Sequence, residues 1–344
     1  MCEDIWHPEP ILESVSAGAR LVLNLNASPF HLNKAIEREN NVVAERARTS
    51  QVPVVYVNTV GGQDELVFDG GSMLADPSGH IVARAPRFDE AVVIVDTDVP
   101  DVSETETDLQ VVEGSEPRSR DDNRVATPVA VLDPLAELYQ ALVTATGDYV
   151  RKSGFTDVSL GLSGGIDSAL VATVAVDALG ADHVHVVLMP SRYSSDQSVV
   201  DAEELATNLG ISTLTVPIEA AHTALDSELV SSIAHTLTRV ADENLQARIR
   251  GVMLMSLANT FDWLVLTTGN KSEAAVGYST LYGDTVGAYA PIKDVYKTVV
   301  YELVRWRNER DGAPVVPVRI VAVSYTHLRA HETSLHLVCR LLLE

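Results

Sequence analysis

Eight residues in the middle of the chain, residues 161–168 with the sequence GLSGGIDS, constrain its fold more than any other stretch. Before them, residues 158–162 are apolar, as in a short buried strand; after them, residues 169–179 are typical of a buried helix that Gly180 closes. A strand, a glycine-rich turn and a helix in this order direct successive backbone N–H groups and a helix N-terminus at one point. The stretch therefore indicates an anion-binding loop. The alternative is a tight turn that simply needs two glycines.

The loop has no lysine after its glycines, so it is not the common phosphate loop Gly-x-x-x-x-Gly-Lys-Ser/Thr. Its Ser-Gly-Gly-x-Asp-Ser core resembles the pyrophosphate loop of the N-type ATP pyrophosphatases, which cleave ATP to AMP and pyrophosphate. The resemblance implies that ATP is bound by Gly161, Leu162, Ser163, Gly164, Gly165, Ile166, Asp167 and Ser168.

The second half of the chain alternates strand-like and helix-like stretches, which predicts a doubly wound parallel sheet covered by helices on both faces. Ligands of such sheets bind at the carboxyl ends of the strands. The loop lies at such an end, as do residues 189–195 and 268–273. The predicted strands are 158–162, 183–189, 211–218 and 263–267, and the predicted helices are 169–179, 195–209 and one around 243–260.

The first hundred residues also predict an α/β region, with one charged helix and several strands. The Asp-Pro-Ser-Gly sequence at 76–79 is typical of a hairpin turn between two of the strands. Asp133 followed by Pro134 marks the start of a further helix, which we expect to end before Gly154. The predicted helix is 31–50, and the predicted strands lie within 18–28 and at 54–59, 66–75, 81–85 and 91–95.

Composition excludes several classes of partner. The net charge of −23 disfavours nucleic acid and anionic membranes, so an anionic substrate would need positive charge supplied locally at its site. No apolar run reaches the length of a membrane span and no signal peptide opens the chain, which favours a cytoplasmic location. The two cysteines, Cys2 and Cys339, make no disulfide framework.

Five further blocks follow the order found in NAD synthetases. They are 189–195 (MPSRYSS), 244–251 (NLQARIRG), 268–273 (TGNKSE), 278–284 (YSTLYGD) and 294–298 (DVYKT). With the loop, they make the chain resemble the glutamine-dependent NAD synthetases over residues 1–322. The resemblance implies that the carboxylate of deamido-NAD attacks the α-phosphorus of ATP, and that ammonia from glutamine then converts the acyl-adenylate to NAD. It also implies Mg²⁺ and a homo-oligomer.

The same resemblance assigns roles to residues in these blocks. Thr268 and Lys297 would contact ATP, and Asp167 and Glu273 would hold Mg²⁺. The positions of deamido-NAD contacts are Asn244, Arg248, Glu273, Tyr278, Ser279, Thr280 and Leu281. Structural alternatives exist for the charged residues. Asp167 and Glu273 could serve their helix starts, Lys297 could be a solvated charge, and either Arg248 or Arg250 could form a structural ion pair.

The N-terminal region resembles a nitrilase-type glutaminase on residues 2–6 (CEDIW), 26–30 (NASPF) and 61–66 (GGQDEL). This implies Cys2 as the nucleophile that attacks glutamine, with Ser28 and Lys34 near the substrate. In the family, a glutamate and a lysine upstream of the nucleophile support it, whereas only Met1 precedes Cys2 here. A thiolate without base and oxyanion support acylates poorly, so we expect an internal fragment without measurable glutaminase activity. We also expect ammonia-dependent NAD formation to be weak or absent, because the family's C-terminal segment should follow Ile320.

Four segments are predicted: a partial glutaminase domain at 1–96, an acidic linker at 97–130, a C-terminally incomplete synthetase domain at 131–322, and a tail at 323–344. The tail, VSYTHLRAHETSLHLVCRLLLE, looks like a translated sequencing adapter, so its histidines carry no metal prediction. Two other functions remain open from sequence. One is another amide-forming or thiolating N-type ATP pyrophosphatase, and the other is a nucleotide-binding fragment without catalysis.

Overall fold

The computed structural model describes residues 4–100 and 128–322. The chain divides into two compact units, residues 1–144 and residues 145–344. Cys2, most of the predicted linker and the predicted adapter tail lie outside the described residues. Within the described ranges, no helix combines the length and the apolar character that a membrane span requires.

The first unit contains a four-stranded mixed sheet in the order β1-β2-β5-β6 and a separate antiparallel hairpin of β3 and β4. Strands β1 and β2 are parallel, and the other neighbours in the sheet are antiparallel. The helices are α1 (Glu9–Ser16), α2 (Lys34–Glu37) and α3 (Ala44–Ser50), with a π-helical segment (Arg38–Val43) joining the last two. The strands are β1 (Val22–Asn26), β2 (Val54–Asn58), β3 (Val60–Gln63), β4 (Leu66–Asp69), β5 (Met73–Ala75) and β6 (Ile81–Arg84).

A buried ion-pair network holds the first unit together beside its apolar core. The carboxylate of Asp69, fully buried, accepts hydrogen bonds from Arg38 at 2.5 and 3.2 Å and from Arg87 at 2.7 and 3.2 Å. Arg87 also donates to Glu137 at 2.7 Å. Because each charge has an opposite partner, two arginines can stay buried here without a net excess of charge.

Helix α4 (Pro134–Lys152) begins as its sequence predicts. The Asp133 carboxylate accepts hydrogen bonds from the backbone N–H groups of Leu135 and Ala136, at 3.0 and 3.1 Å. These are two of the donors that a helix start leaves without an intrahelical partner, and Pro134 removes a third.

The second unit contains a four-stranded sheet in the order β10-β7-β8-β9, with every neighbouring pair parallel. The parallel-sheet prediction is therefore confirmed. The strands are β7 (Val158–Gly161), β8 (Val184–Leu188), β9 (Ser212–Thr215) and β10 (Leu264–Val265). The helices are α5 (Ile166–Leu179), α6 (Asp196–Leu209), α7 (Glu219–Ile233), α8 (Arg239–Phe261), α9 (Lys271–Val276), α10 (Lys297–Arg310) and α11 (Val318–Ala322).

Helices α5 and α10 lie side by side and point in the same direction. The Lys297 ammonium contacts Asp167 at one end of the pair, and Arg307 binds Asp177 at 2.8 and 3.0 Å at the other. The two contacts are ten residues apart on each helix, which is about 15 Å of helix, so the two helices run parallel and in register. Their N-termini therefore meet at the carboxyl end of the sheet, beside the loop.

Some sequence-based element predictions are wrong. Residues 91–95 form no strand, and the side chain of Val92 is 92% exposed. The predicted strand at 66–75 is two strands, because Gly70 and Gly71 both adopt positive φ between them. Helix α7 was not predicted, although Leu225, Leu229 and Ile233 recur every four residues along it. The hairpin turn at 76–79 is confirmed between β5 and β6.

Candidate functional site

The glycine-rich loop follows β7 and is shaped by its two serine side chains. The Ser168 hydroxyl is buried, accepts from the Ser163 backbone N–H at 3.3 Å and donates to the Gly165 carbonyl at 3.0 Å. The Ser163 hydroxyl accepts from the Gly165 N–H at 3.2 Å and lies 3.1 Å from the Ser168 hydroxyl. Hydrogen bonds within the loop therefore fix its shape before α5 begins.

Gly164 is the position where a glycine is required. Its φ of +77° lies in the left-handed region, and a Cβ placed there would lie 2.3 Å from the Ser198 carbonyl oxygen in the first turn of α6. The loop therefore packs directly against the backbone of the neighbouring helix. By contrast, the side chain of Ile166 points into the core, where it is 5% exposed, so only its backbone remains for the loop surface.

Four polar side chains from distant positions meet at the end of the loop. The Lys297 ammonium contacts the Asp167 carboxylate and lies 4.0 Å from the Glu273 carboxylate. Asn270 donates its side-chain N–H to Asp167 at 3.0 Å and accepts the Glu273 backbone N–H at 3.0 Å. The structure therefore brings together three residues that the sequence assigned to ATP and Mg²⁺.

Burial and like charge raise the pKa of Glu273 to about 7. Desolvation is the largest cause, repulsion by Asp167 adds to it, and attraction to Lys297 opposes both. A carboxyl with a pKa this far from its ordinary value marks the cluster as a candidate functional site.

A cleft of about 370 Å³ opens beside the loop and the carboxyl ends of β7 and β8. Thr268 lines it, as the sequence predicts for an ATP contact, and so does Arg250, whose Nε–H donates to the Met189 carbonyl at 3.1 Å. Burial lowers the pKa of Arg250 and nearby Asp284, also on the cleft wall, opposes that shift. Arg250 thus presents a partly desolvated positive charge to the cleft, where an anion would stabilise it.

Residues predicted to contact deamido-NAD contact one another across helix α8 and the loop that follows α9. Thr280 donates its hydroxyl to the Asn244 side-chain oxygen at 2.8 Å, and Arg248 donates to the Leu281 carbonyl at 3.2 Å. Ser279 is exposed. Burial, then repulsion by Glu273, raises the pKa of Tyr278.

Two glycines allow this loop to approach α8 closely. A Cβ on Gly251 would lie 2.9 Å from the Tyr282 carbonyl oxygen, and a Cβ on Gly283 would lie 2.9 Å from the backbone and side chain of Ala247. Any larger residue at either position would separate the loop from the helix. Gly251 and Gly283 both line the cleft, so the close approach of this loop to α8 also shapes the cleft wall.

In the first unit, Ser28 and Lys34 each already have protein partners. Ser28 is buried and exchanges two hydrogen bonds with Asn58, one from its N–H at 2.9 Å and one to its carbonyl at 3.3 Å. The Lys34 ammonium donates to Glu37 at 3.0 Å and lies 3.8 Å from the centre of the Trp6 ring. The roles assigned to Ser28, Lys34 and Cys2 stay predictions.

The donor chemistry at the loop fits a magnesium ion that is shared with a nucleotide. Mg²⁺ at such sites is held by one or two carboxylates, with phosphate oxygens and water completing its shell. Asp167 and Glu273 supply two carboxylates around one ammonium. Nowhere in residues 4–100 or 128–322 do three or more His, Cys, Asp or Glu side chains form a group suited to a metal, so the protein alone provides no full ligand set there.

Sequence reasoning left two site residues without a definite role. Asn270 lies in the recognised block 268–273, but its amide contact with Asp167 joins positions 103 residues apart and leaves no local pattern. Arg250 was undecided because an arginine on an apolar helix is as often structural as functional. Its position on the cleft wall now favours a functional role.

A parallel sheet covered by helices, a glycine-rich loop at the carboxyl end of a strand and an acidic pair beside a lysine are typical of α/β proteins of the nucleotide-binding kind. Comparison with known families agrees: the NAD synthase model matches residues 138–326, and the Carbon-nitrogen hydrolase model matches residues 1–107. The chain belongs to the NAD synthase family.

Individual relatives point the same way. A glutamine-dependent NAD(+) synthetase from Thermotoga maritima is 45% identical over 338 residues, covering 93% of this chain and 58% of that enzyme. The structure of a glutamine-dependent NAD+ synthetase from Acinetobacter baumannii in complex with ADP superposes with a TM-score of 0.83 at 41% identity, over 96% of this chain and 59% of that one. The NMN synthetase of Francisella tularensis is 31% identical with a TM-score of 0.50, over 55% of this chain and 74% of that one. The chain thus spans somewhat more than half the length of the glutamine-dependent enzymes it matches.

Proposed function

We propose that the second unit catalyses ATP-dependent amidation of deamido-NAD to NAD through an adenylated intermediate. The observation that carries this proposal is the meeting of Asp167, Glu273 and Lys297 at the loop beside the cleft. Similarity to glutamine-dependent NAD synthetases supports the choice of substrates.

In the first step, the nicotinate carboxylate attacks the α-phosphorus of ATP, and the bond to the leaving pyrophosphate breaks. The chain's task is to hold the anionic reactants in line and to neutralise charge on the leaving group. The N-termini of the parallel helices α5 and α10 would provide fixed positive dipole ends for the phosphates. Lys297, at the first position of α10, adds a full charge at the same point.

A magnesium ion held by Asp167 and Glu273 would supply further charge neutralisation on the phosphates. Arg250 contributes a positive charge from the cleft wall. In the second step, ammonia attacks the activated carbonyl carbon, and AMP leaves. Asn244, Arg248 and the loop carrying Tyr278, Ser279, Thr280 and Leu281 form the proposed deamido-NAD contacts, with their mutual hydrogen bonds fixing that loop against α8.

For the first unit, we propose a glutaminase-type domain with Cys2 as nucleophile and Ser28 and Lys34 beside the glutamine. The Carbon-nitrogen hydrolase match over residues 1–107 supports the domain type. Glutamine hydrolysis by the full chain, compared with that of a Cys2→Ala control, measures whether Cys2 acts as the nucleophile. A cytoplasmic location and assembly into a homo-oligomer also stay proposals.

The test is exchange of labelled pyrophosphate into ATP, with the full chain, Mg²⁺ and deamido-NAD. We expect exchange that depends on deamido-NAD, and that Asp167→Asn lowers about 100-fold or more because it removes a carboxylate that would hold Mg²⁺ against the phosphates. NAD formation is then measured with ammonia and, separately, with glutamine. Nicotinate mononucleotide is included as an acceptor, because one similar structure is an NMN synthetase.

Each rival function gives a different outcome in the same assay. Exchange driven by a GMP precursor, aspartate or a tRNA, and not by deamido-NAD, would indicate another N-type ATP pyrophosphatase. ATP binding that Asp167→Asn leaves intact, with no exchange at any Mg²⁺ concentration, would indicate a non-catalytic nucleotide-binding protein.

A further inference from the structure

The Asn270 side chain contacts both acidic residues of the site. It is 1% exposed, and both ends of its amide are used. Its Nδ2 donates to Asp167 Oδ1 at 3.0 Å, and its Oδ1 accepts the Glu273 backbone N–H at 3.0 Å. In return, the Asn270 backbone N–H donates to Glu273 Oε2 at 3.3 Å, which completes a capping box at the start of α9.

We propose that Asn270 is a positioning residue, which fixes Asp167 and Glu273 in the orientation needed to share one divalent cation with bound nucleotide. This inference rests on the proposed function. Two neighbouring carboxylates repel each other, so each needs a partner that holds it without cancelling its charge. A neutral amide meets that requirement, whereas a lysine would occupy the cation's place.

The individual oxygens make the assignment specific. Asp167 uses Oδ1 for Asn270 and Oδ2 for Lys297. With Lys297 moved to a phosphate, Asn270 would still hold Oδ1, and Oδ2 would be available for a cation. Glu273 is held at its backbone by the Asn270 side chain and at its carboxylate by the Asn270 backbone N–H, which donates to Oε2 and leaves Oε1 facing Lys297.

This geometry also explains why other residue types could not replace Asn270. A serine or glycine would still begin the helix, since both are good or tolerated N-caps, but neither reaches Asp167. An aspartate would cap the helix and place a third negative charge against Asp167. Only a short side chain with a donor and an acceptor makes both contacts at once.

The test measures cation binding directly. Mn²⁺ serves as a paramagnetic probe in place of Mg²⁺, and its free concentration is followed by electron paramagnetic resonance with the full chain and α,β-methylene-ATP. Asn270→Ser should weaken Mn²⁺ binding by about 10- to 100-fold, as removal of a residue that orients a metal ligand typically does. Asn270→Gly, which also keeps a tolerated cap, should give the same loss. Affinity for the nucleotide without metal should stay within about twofold of wild type, because the loop itself is unchanged.

The matched control is Thr238→Ala, which removes the side-chain cap of α8, where Thr238 accepts the Ala241 N–H at 3.2 Å. It should lower stability and leave Mn²⁺ affinity within about twofold of wild type. If Asn270→Ser and Asn270→Gly bind Mn²⁺ as tightly as wild type, this inference is overturned while the proposed function is not. An equal loss of Mn²⁺ affinity in Thr238→Ala would also overturn it, because the loss would then be a general effect of removing a helix cap. No Mn²⁺-dependent nucleotide binding by wild type would instead refute the proposed function and this inference together.

Discussion

Replacement of Glu273 by glutamine should change the pH dependence of stability in a defined direction. The folded-state pKa of Glu273 is about 7, against 4.5 for an unperturbed glutamate. Between these values the folded protein binds a proton that the unfolded chain does not, so the free energy of unfolding falls as pH rises. The loss begins near pH 4.5 and is complete above pH 7.

The size of the effect follows from the shift. About 2.5 pKa units correspond to roughly 3 kcal/mol of unfolding free energy, since each unit is 1.36 kcal/mol. The Glu273 side chain is 22% exposed, so solvent screens little of it. Glutamine is neutral at every pH, and its amide oxygen can still accept the Asn270 N–H that Glu273 accepts now. The raised pKa already includes the attraction to Lys297. Once a weaker hydrogen bond to the neutral amide is allowed for, about 1–3 kcal/mol remains in favour of Glu273→Gln at pH 8.

The assay is urea unfolding by circular dichroism from pH 5 to pH 8, without nucleotide or metal. Glu273→Gln should exceed wild type in unfolding free energy at pH 8, and the difference should shrink toward zero at pH 5. Glu203→Gln, a matched change on the exposed surface of α6, should show no such trend. The reasoning is refuted if Glu273→Gln is no more stable than wild type at pH 8, or if its advantage is the same at both ends of the range.

Two further changes test the loop and the first unit. Gly164→Ala should lower the unfolding free energy by about 1–3 kcal/mol and abolish ATP–pyrophosphate exchange, because its Cβ would meet the Ser198 carbonyl at 2.3 Å and φ is positive; exchange at the wild-type rate would contradict this. Asp69→Asn should lower the unfolding free energy of the first unit by about 3–5 kcal/mol, because Arg38 and Arg87 would remain buried with too little negative charge. Urea unfolding measures that loss, and a change below about 1 kcal/mol would show that the network carries little stability.

The sequence was sufficient for those parts of the fold that depend on local chemistry. The strand, loop and helix around residues 161–168 follow from glycine positions and from apolar runs of different period. The start of α4 follows from Asp133 and Pro134, whose effects reach only three residues. Predictions of this kind succeed because the interactions that decide them lie within one turn of the chain.

Structural features that depend on residues far apart in the sequence could not be predicted in this way. Residues 91–95 have the composition of a strand, but an apolar run becomes a strand only where another strand pairs with it. The contact between Asn270 and Asp167 depends on how β10 places one loop beside another. The parallel alignment of α5 and α10 likewise appears only when both ion pairs are seen, at Lys297 and at Arg307.

The net charge of −23 is compatible with the proposed site for an anionic nucleotide, because electrostatic interactions have a short range in salt solution. At physiological ionic strength, charges more than about 8 Å apart are largely screened, so the distant acidic surface acts only weakly on the cleft. What decides binding is the local arrangement: two helix N-termini in register, Lys297 at the first position of one of them, and Arg250 on the cleft wall. The two carboxylates at the same point would oppose a nucleotide on their own. In the proposed function, Asn270 would hold Asp167 while Lys297 moves to a phosphate, so that a cation and a triphosphate would be bound together more favourably than either alone.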